Sequence, residues 1–220
     1  MGVLSHMSTN FYPETLPTKT AILLAELRSR KLEFLNQFYL SGGTALSLQL
    51  GHRESEDLDF FSETDFETLI IEQELEKVGK LESRETFKNT LNCVLRGVKL
   101  QFLGYPYPLL EPFVGFEELR LSSVIDIACT KLQTIGARGS KKDFIDLYII
   151  FETYTLQELL DLMKRKYVNT DFSLTHILKS LIYFEDAELE PMPRLHKDIE
   201  WEDVKKKMGE VVKGISLGKS

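Results

Sequence analysis

Between residues 18 and 37 the apolar positions Ile22, Leu23, Leu27, Leu32 and Leu35 recur at roughly helical spacing, which predicts a helix or a broken pair of helices. Phe38, Tyr39 and Leu40 then read as a first core strand. A Gly42-Gly43-Thr44 turn follows, with a short helix over 45–50, a loop over 51–56 and a second strand over 57–61. Helical spacing returns over 65–77 through Phe66, Leu69, Ile70 and Leu75. Three short strands come next, over 80–87, 92–95 and 98–103, separated by Lys88-Asn89-Thr90 and by Gly97. The Tyr105-Pro106-Tyr107-Pro108 segment breaks regular structure. Beyond Phe116 the pattern is helical almost to the end, with helices over 122–135, from Ser140 onward, over 155–167 and 174–184, and over 201–212 after Pro191-Met192-Pro193. This order predicts an α/β (α+β) fold, with a mixed-sheet domain over residues 8–112 followed by a helical domain over 113–220.

Composition narrows the class. The 220 residues, 43% apolar and 28% charged, are those of an ordinary globular protein able to bury a sizeable core. A formal charge of -7 argues against wholesale coating of nucleic acid and leaves room for a local basic patch. No apolar run approaches the ~18 residues of a membrane span, and no charged-then-apolar leader opens the chain. Cys93 and Cys129 stand far apart within apolar patterns and read as reduced core thiols of a cytoplasmic protein. The four histidines, at 6, 52, 176 and 196, have no zinc spacing, and there is no P-loop and no Gly-x-Ser-x-Gly elbow. Met1 to Met7, ending in Ser-His-Met, read as a cloning remnant and are set aside.

Candidate chemistry concentrates between Ser41 and Phe61. In a strand, Asp57 and Asp59 project together while Leu58 and Phe60 project the other way, so two like charges share one face over an apolar floor. Such a pair repels unless something positive sits between them, and a divalent metal is the obvious candidate. The upstream Gly42 and Gly43 let the backbone approach a phosphate closely, and Thr44 is placed to cap a helix whose N–H groups face the same anion.

Two helices of the second half carry polar residues out of keeping with their neighbours. Lys131 shares the apolar face of Ile127, Ala128 and Ile135, where it either snorkels to solvent or reaches an anion such as a phosphate. Gly136 reads as the stop of that helix. Ser140 with Asp143 fits an acidic capping box, and Asp146 lies one turn further along a helix that is apolar nearly all round. A carboxylate there must meet cations, donors or metal, with Arg138, Lys142 and Lys131 as candidate partners, and a purely structural ion network is also open.

Gly42-Gly43, thirteen residues, then Asp57-Leu58-Asp59-Phe60 resembles the nucleotidyltransferase signature of a Gly-Gly or Gly-Ser pair followed by Asp-hydrophobic-Asp/Glu. The fuller string, with Gly42-Gly43-Thr44-Ala45-Leu46, His52-Arg53, Ser55 and Asp57 to Phe61, resembles the AbiEii/AbiGii toxin branch of that superfamily. Lys131-Leu132 and the Arg138 to Asp146 string resemble its further motifs, so the resemblance runs from about Thr18 to the helix at Trp201. It implies a nucleotidyltransferase in the first half, with Gly42, Gly43 and Thr44 on the phosphates of a nucleoside triphosphate and Asp57 and Asp59 on Mg²⁺. It also implies Lys131 on the triphosphate, Asp143 as a catalytic carboxylate near the acceptor, and Arg138 or Lys142 as phosphate contacts, with Asp146 beside them. The implied setting is a toxin with a cognate antitoxin and a tRNA or other RNA acceptor, with a small-molecule acceptor or a non-catalytic nucleotide-binding module as alternatives. One position departs from the pattern. Val98, Leu100 and Phe102 form the inner face of their strand, so Gln101 stands where a third acid is expected, and an amide cannot neutralise a second cation.

Overall fold

The computed structural model describes residues 10–168, 170 and 172–215, so the segment read as a cloning remnant lies outside the described residues. The apolar stretch over 18–37 is a broken pair: α1 (Thr18–Ser29) and a 3₁₀ turn (Glu33–Gln37), parted at Lys31, whose φ is +49°. The chain then runs through β1 (Tyr39–Ser41), α2 (Gly42–Leu50), β2 (Leu58–Ser62), α3 (Thr68–Glu76), β3 (Leu81–Phe87), β4 (Thr90–Leu95) and β5 (Val98–Gly104). Helix α2 starts at Gly42, three residues ahead of the predicted start, and Ser41 instead of Thr44 stands at its N-cap.

The expectation of helix beyond Phe116 is corrected. β6 (Val114–Phe116) and β7 (Leu119–Leu121) form a hairpin, and β7 lies parallel to β1 at Leu40 and Leu121. The sheet thus continues past residue 112. Its seven strands run in the order β3-β4-β5-β2-β1-β7-β6, with β2 and β5 parallel and β1 and β2 antiparallel. This is the mixed sheet and α/β architecture that the periodicity predicts.

After the sheet come α4 (Val124–Ala137), α5 (Lys141–Ile150), α6 (Leu156–Lys166), α7 (Leu174–Ser180), α8 (Glu185–Glu188) and α9 (Trp201–Lys213). Gly136 does not stop α4, which continues to Ala137; the His176 ring packs against Gly136, with Nε2 2.6 Å from its carbonyl oxygen. Serine hydroxyls at the N-caps of α4 and α5, Ser123 and Ser140, accept from the N–H groups of Asp126 and Asp143, which fixes where both helices begin.

The inward face of β2 is aromatic. Phe60 stacks on Phe102 of β5 with centroids 5.1 Å apart, and Phe38 meets the same Phe102 edge-on at 5.2 Å. Helix α2 is buried between this sheet and the helices α4 and α5, so strands and helices share one core. Cys93 and Cys129 are free and buried within it, and burial pushes each thiol up to about 12. Among the described residues no helix is long and apolar enough to cross a membrane.

Candidate active site

On the face of the sheet opposite the aromatic floor, one register row crosses five strands: Glu85 of β3, Asn92 of β4, Gln101 of β5, Asp59 of β2 and Ser41 of β1. Side chains in such a row lie side by side on one face. Asp57, two residues before Asp59, joins it, and both carboxylates line a cleft of about 510 Å³ with Lys99, Gln101 and Arg138. Gln101 Nε2 donates to Asn92 Oδ1 at 2.8 Å, and Asn92 Nδ2 donates to Glu85 Oε2 at 3.3 Å. An amide chain therefore occupies the floor beside Asp59, where a third acid would sit. Burial pushes the Asp59 carboxyl up to about 6; Lys131 opposes the rise and Asp57 adds to it.

The start of α2 closes the cleft on the other side of Asp59. Gly42 has φ +63°, and a β-carbon there would fall on the Asp59 carboxylate. A β-carbon on Gly43 would come within 2.6 Å of Arg53 Nη2. The space that two side chains would fill is thus taken by Asp59 and Arg53. The Ser41 hydroxyl accepts from Ser122 at 2.8 Å and does not cap α2, so among the described residues the first N–H groups of the helix have no side-chain partner. Thr44 is fully buried, and its hydroxyl bonds to Asp57 O and to Ser55 Oγ. It locks the loop to the helix and offers no hydroxyl to a phosphate.

From the helical side, Lys131 of α4 reaches inward. Its ammonium sits 2.6 Å from Asp143 Oδ1 and 2.7 Å from Asp146 Oδ2, and it is the strongest charge acting on Asp59. Burial alone would lower the Lys131 pKa, but Asp146 and Asp143 outweigh it and raise it. Asp143 Oδ2 accepts from the Ser140 hydroxyl at 2.8 Å, so both of its oxygens are engaged. Asp146 is fully buried and meets Arg53 Nε, His52 Nε2 and Lys131 Nζ, each at 2.7 Å, with Arg53 Nη2 at 2.8 Å. Burial would raise its pKa, yet the two cations hold it well below the usual carboxylate range. Burial holds His52 below its ordinary pKa, so the neutral ring donates through Nε2 and its Nδ1 has no partner among the described residues.

Residues 23–108 match the family model described as nucleotidyl transferase AbiEii toxin, type IV toxin–antitoxin system. Over 181 residues the chain is 43% identical to a protein of Aquifex aeolicus (strain VF5) named "Uncharacterized protein aq_aa25", covering 79% of this chain and 85% of that one. The chain belongs to the AbiEii nucleotidyltransferase toxin family. Two solved structures share the fold of this AbiEii nucleotidyltransferase. MenT4, a nucleotidyltransferase toxin of Mycobacterium tuberculosis, gives a TM-score of 0.54 at 14% identity over 91% of this chain and 87% of its own. JHP933 from Helicobacter pylori gives 0.53 at 19% identity over 90% and 92%.

Of the residues expected of an AbiEii enzyme, Asp57, Asp59 and Arg138 line one cleft, Gly42 abuts the Asp59 carboxylate, Gly43 abuts Arg53, and the Lys131 charge acts on Asp59 from the helical side. Asp143 and Asp146 lie just behind Lys131, sealed from solvent, and Asp146 takes the structural ion network that its helix left open. Its partners are only partly those anticipated: Lys131 is one, while Arg53 and His52 replace Arg138 and Lys142. Lys142 is exposed and makes no ion pair among the described residues. Arg53 and His52 belong to the string that carries the family resemblance, yet the sequence assigns them no role, because they stand in a loop without periodicity, where an arginine reads as solvated.

Nucleotidyltransferases generally use a divalent metal, and the donor set here suits one ion. Among the described residues no group of three or more His, Cys, Asp or Glu side chains converges. Two crowded acids, one with its pKa raised, match the demand of a hard cation that completes its shell with phosphate oxygens and water. A hollow of similar size, about 550 Å³, lies against α1 and β7 and contains no carboxylate pair of this kind.

Proposed function

We propose that this AbiEii chain transfers a nucleoside monophosphate from a nucleoside triphosphate to an acceptor hydroxyl, using Mg²⁺, as the cytoplasmic toxin of a toxin–antitoxin pair. The observation that supports this most is the pairing of Asp57, just ahead of β2, with Asp59 of β2 in one cleft beside the start of α2, with the Lys131 charge of α4 acting on Asp59. Asp57 and Asp59 would hold the cation, which when bound neutralises charge on the triphosphate and on the leaving pyrophosphate. The N–H groups of Gly42 and Gly43 bind the phosphates, as helix N-termini do. Lys131 donates to Asp143 and pairs by charge with Asp146, and an ammonium has three N–H donors, so one remains for a phosphate oxygen. Arg138, on the cleft wall, binds a second phosphate group. The acceptor hydroxyl oxygen attacks the α-phosphorus in line and loses its proton to solvent, the bond to the β-phosphate breaks and pyrophosphate leaves, and catalysis comes mainly from positioning and charge stabilisation. Asp143, with both oxygens committed, serves by fixing Lys131.

RNA, and tRNA in particular, is the acceptor carried over from the family resemblance. A small-molecule acceptor is the second reading, and one observation favours it. Of the basic residues that could line an RNA groove, Lys166 is buried on Asp126 at 2.6 Å, Lys141 bonds to Glu190 over the Trp201 ring, and Lys164 pairs with Asp161. The test is incubation with each α-labelled nucleoside triphosphate, Mg²⁺ and total RNA over a range of salt. Transfer to RNA that declines steeply with ionic strength supports the RNA acceptor. Label found only on small molecules refutes it in favour of the second reading.

A further inference from the structure

We infer that Arg53 is a positioning residue for nucleotidyl transfer: by holding both oxygens of Asp146 it fixes one of the two supports of the Lys131 ammonium and so aims that ammonium at the cleft. This rests on the reading of Lys131 as a triphosphate contact. The geometry is that of a fork on a carboxylate, with Nε on Oδ1 at 2.7 Å and Nη2 on Oδ2 at 2.8 Å. Oδ1 also meets His52 and Oδ2 also meets Lys131, so each oxygen carries two partners and the carboxylate cannot rotate without breaking one. The cluster balances two cations, Arg53 and Lys131, against two acids, Asp143 and Asp146, around a neutral His52. A balanced buried cluster has no spare charge with which to pull Lys131 off its aim.

Arg53 itself is held on every side. Its Nη1 donates to Glu54 O at 2.9 Å. Its Nη2 abuts Gly43, so the guanidinium also sets the first turn of α2. The loop that carries it is clamped backbone to backbone by segments distant in sequence: Ser55 N donates to Thr15 O at 3.0 Å, Glu54 N to Arg194 O at 2.8 Å, and His196 N to His52 O at 2.9 Å. One guanidinium therefore joins the phosphate-facing end of α2 to the acid that orients Lys131. A lysine at 53 would keep the charge and lose the fork, leaving the Asp146 oxygens held only by His52 and Lys131.

A buried ion cluster could equally serve stability alone, and a double-mutant cycle separates the two roles. The affinity of the full chain for a non-hydrolysable Mg²⁺-nucleoside triphosphate is measured for wild type, Arg53→Lys, Lys131→Met and the double variant, with the melting temperature of each. Arg53→Lys is expected to weaken binding about tenfold in the wild-type background and to add nothing once Lys131 is gone. His52→Asn, which removes one donor from Asp146 and keeps the fork, should give a smaller loss that also vanishes in the Lys131→Met background, and it serves if Arg53→Lys fails to fold. Equal losses in both backgrounds, or no loss at all, overturn the inference. If Lys131→Met itself leaves affinity unchanged, the triphosphate role of Lys131 falls and this inference with it. If Lys131→Met weakens binding and Arg53→Lys does not, only the inference falls.

Discussion

Asp59 is the most informative residue of the acid pair, because burial and Asp57 together push its carboxyl up to about 6. With a pKa of about 6, about half of the Asp59 side chains hold a proton at pH 6, and a bound cation drives that proton off. Calorimetric titration of Mg²⁺ at pH 6 in buffers of different ionisation enthalpy should therefore show release of about half a proton per site, and none in Asp59→Asn. The linkage runs the same way. An acid whose pKa is raised on folding stabilises the fold below its unfolded value near 3.9, and that contribution is lost as pH rises through about 6. In chelator, the wild type should lose stability over that window while Asp59→Asn stays flatter. Gly42 is the second informative residue. Gly42→Ala puts a side chain at φ +63° and on the Asp59 carboxylate, so a loss of about 1–2 kcal/mol from the backbone alone is expected, together with weakened Mg²⁺ binding. Thermal unfolding and metal titration on the same sample check both. These residues were legible in the sequence because a glycine pair and an Asp-x-Asp triplet are local. The role of Arg53 and His52 was not, since their partner Asp146 lies more than ninety positions away.

Elements show a similar division. Helices α4 and α5 were legible from their apolar faces, and Lys131 and Asp146 stood out on those faces as charges that needed partners. Helix α5 is tied to α4 and to the loop after α2 through Asp146, and breaking a buried pair by removing one partner is strongly destabilising. Asp146→Asn leaves Arg53 and Lys131 short of an anion and should cost about 3–5 kcal/mol, read as a shift of the urea midpoint with the slope unchanged. A variant as stable as wild type would show that the cluster does not hold the two helices. The hairpin β6-β7 escaped the pattern because strands of three residues are too short to show alternation, and its turn at Glu117, φ +54°, contains no glycine to announce it. The start of α2 was misplaced for a related reason: Ser41 and Thr44 are both good caps by type, and the tertiary bonds of each decided between them.

At the scale of the whole molecule, the acid pair Asp57 and Asp59 comes from the sheet side and Arg138 from the end of α4, and the cleft lies where they meet. The fold class followed from periodicity alone, while the joining of the two halves did not, because the long-range pairs that achieve it leave no local trace. Lys166 with Asp126 illustrates this: the basic run Lys164-Arg165-Lys166 in the last turn of α6 sends one member inward to anchor α6 on α4. The account stands on the acid pair, and its most direct test is pyrophosphate release from a nucleoside triphosphate with Mg²⁺, wild type against Asp57→Asn, a change that keeps size and removes charge. A fall of about 10²–10³-fold in the folded variant is predicted. An unchanged rate of release would contradict the account.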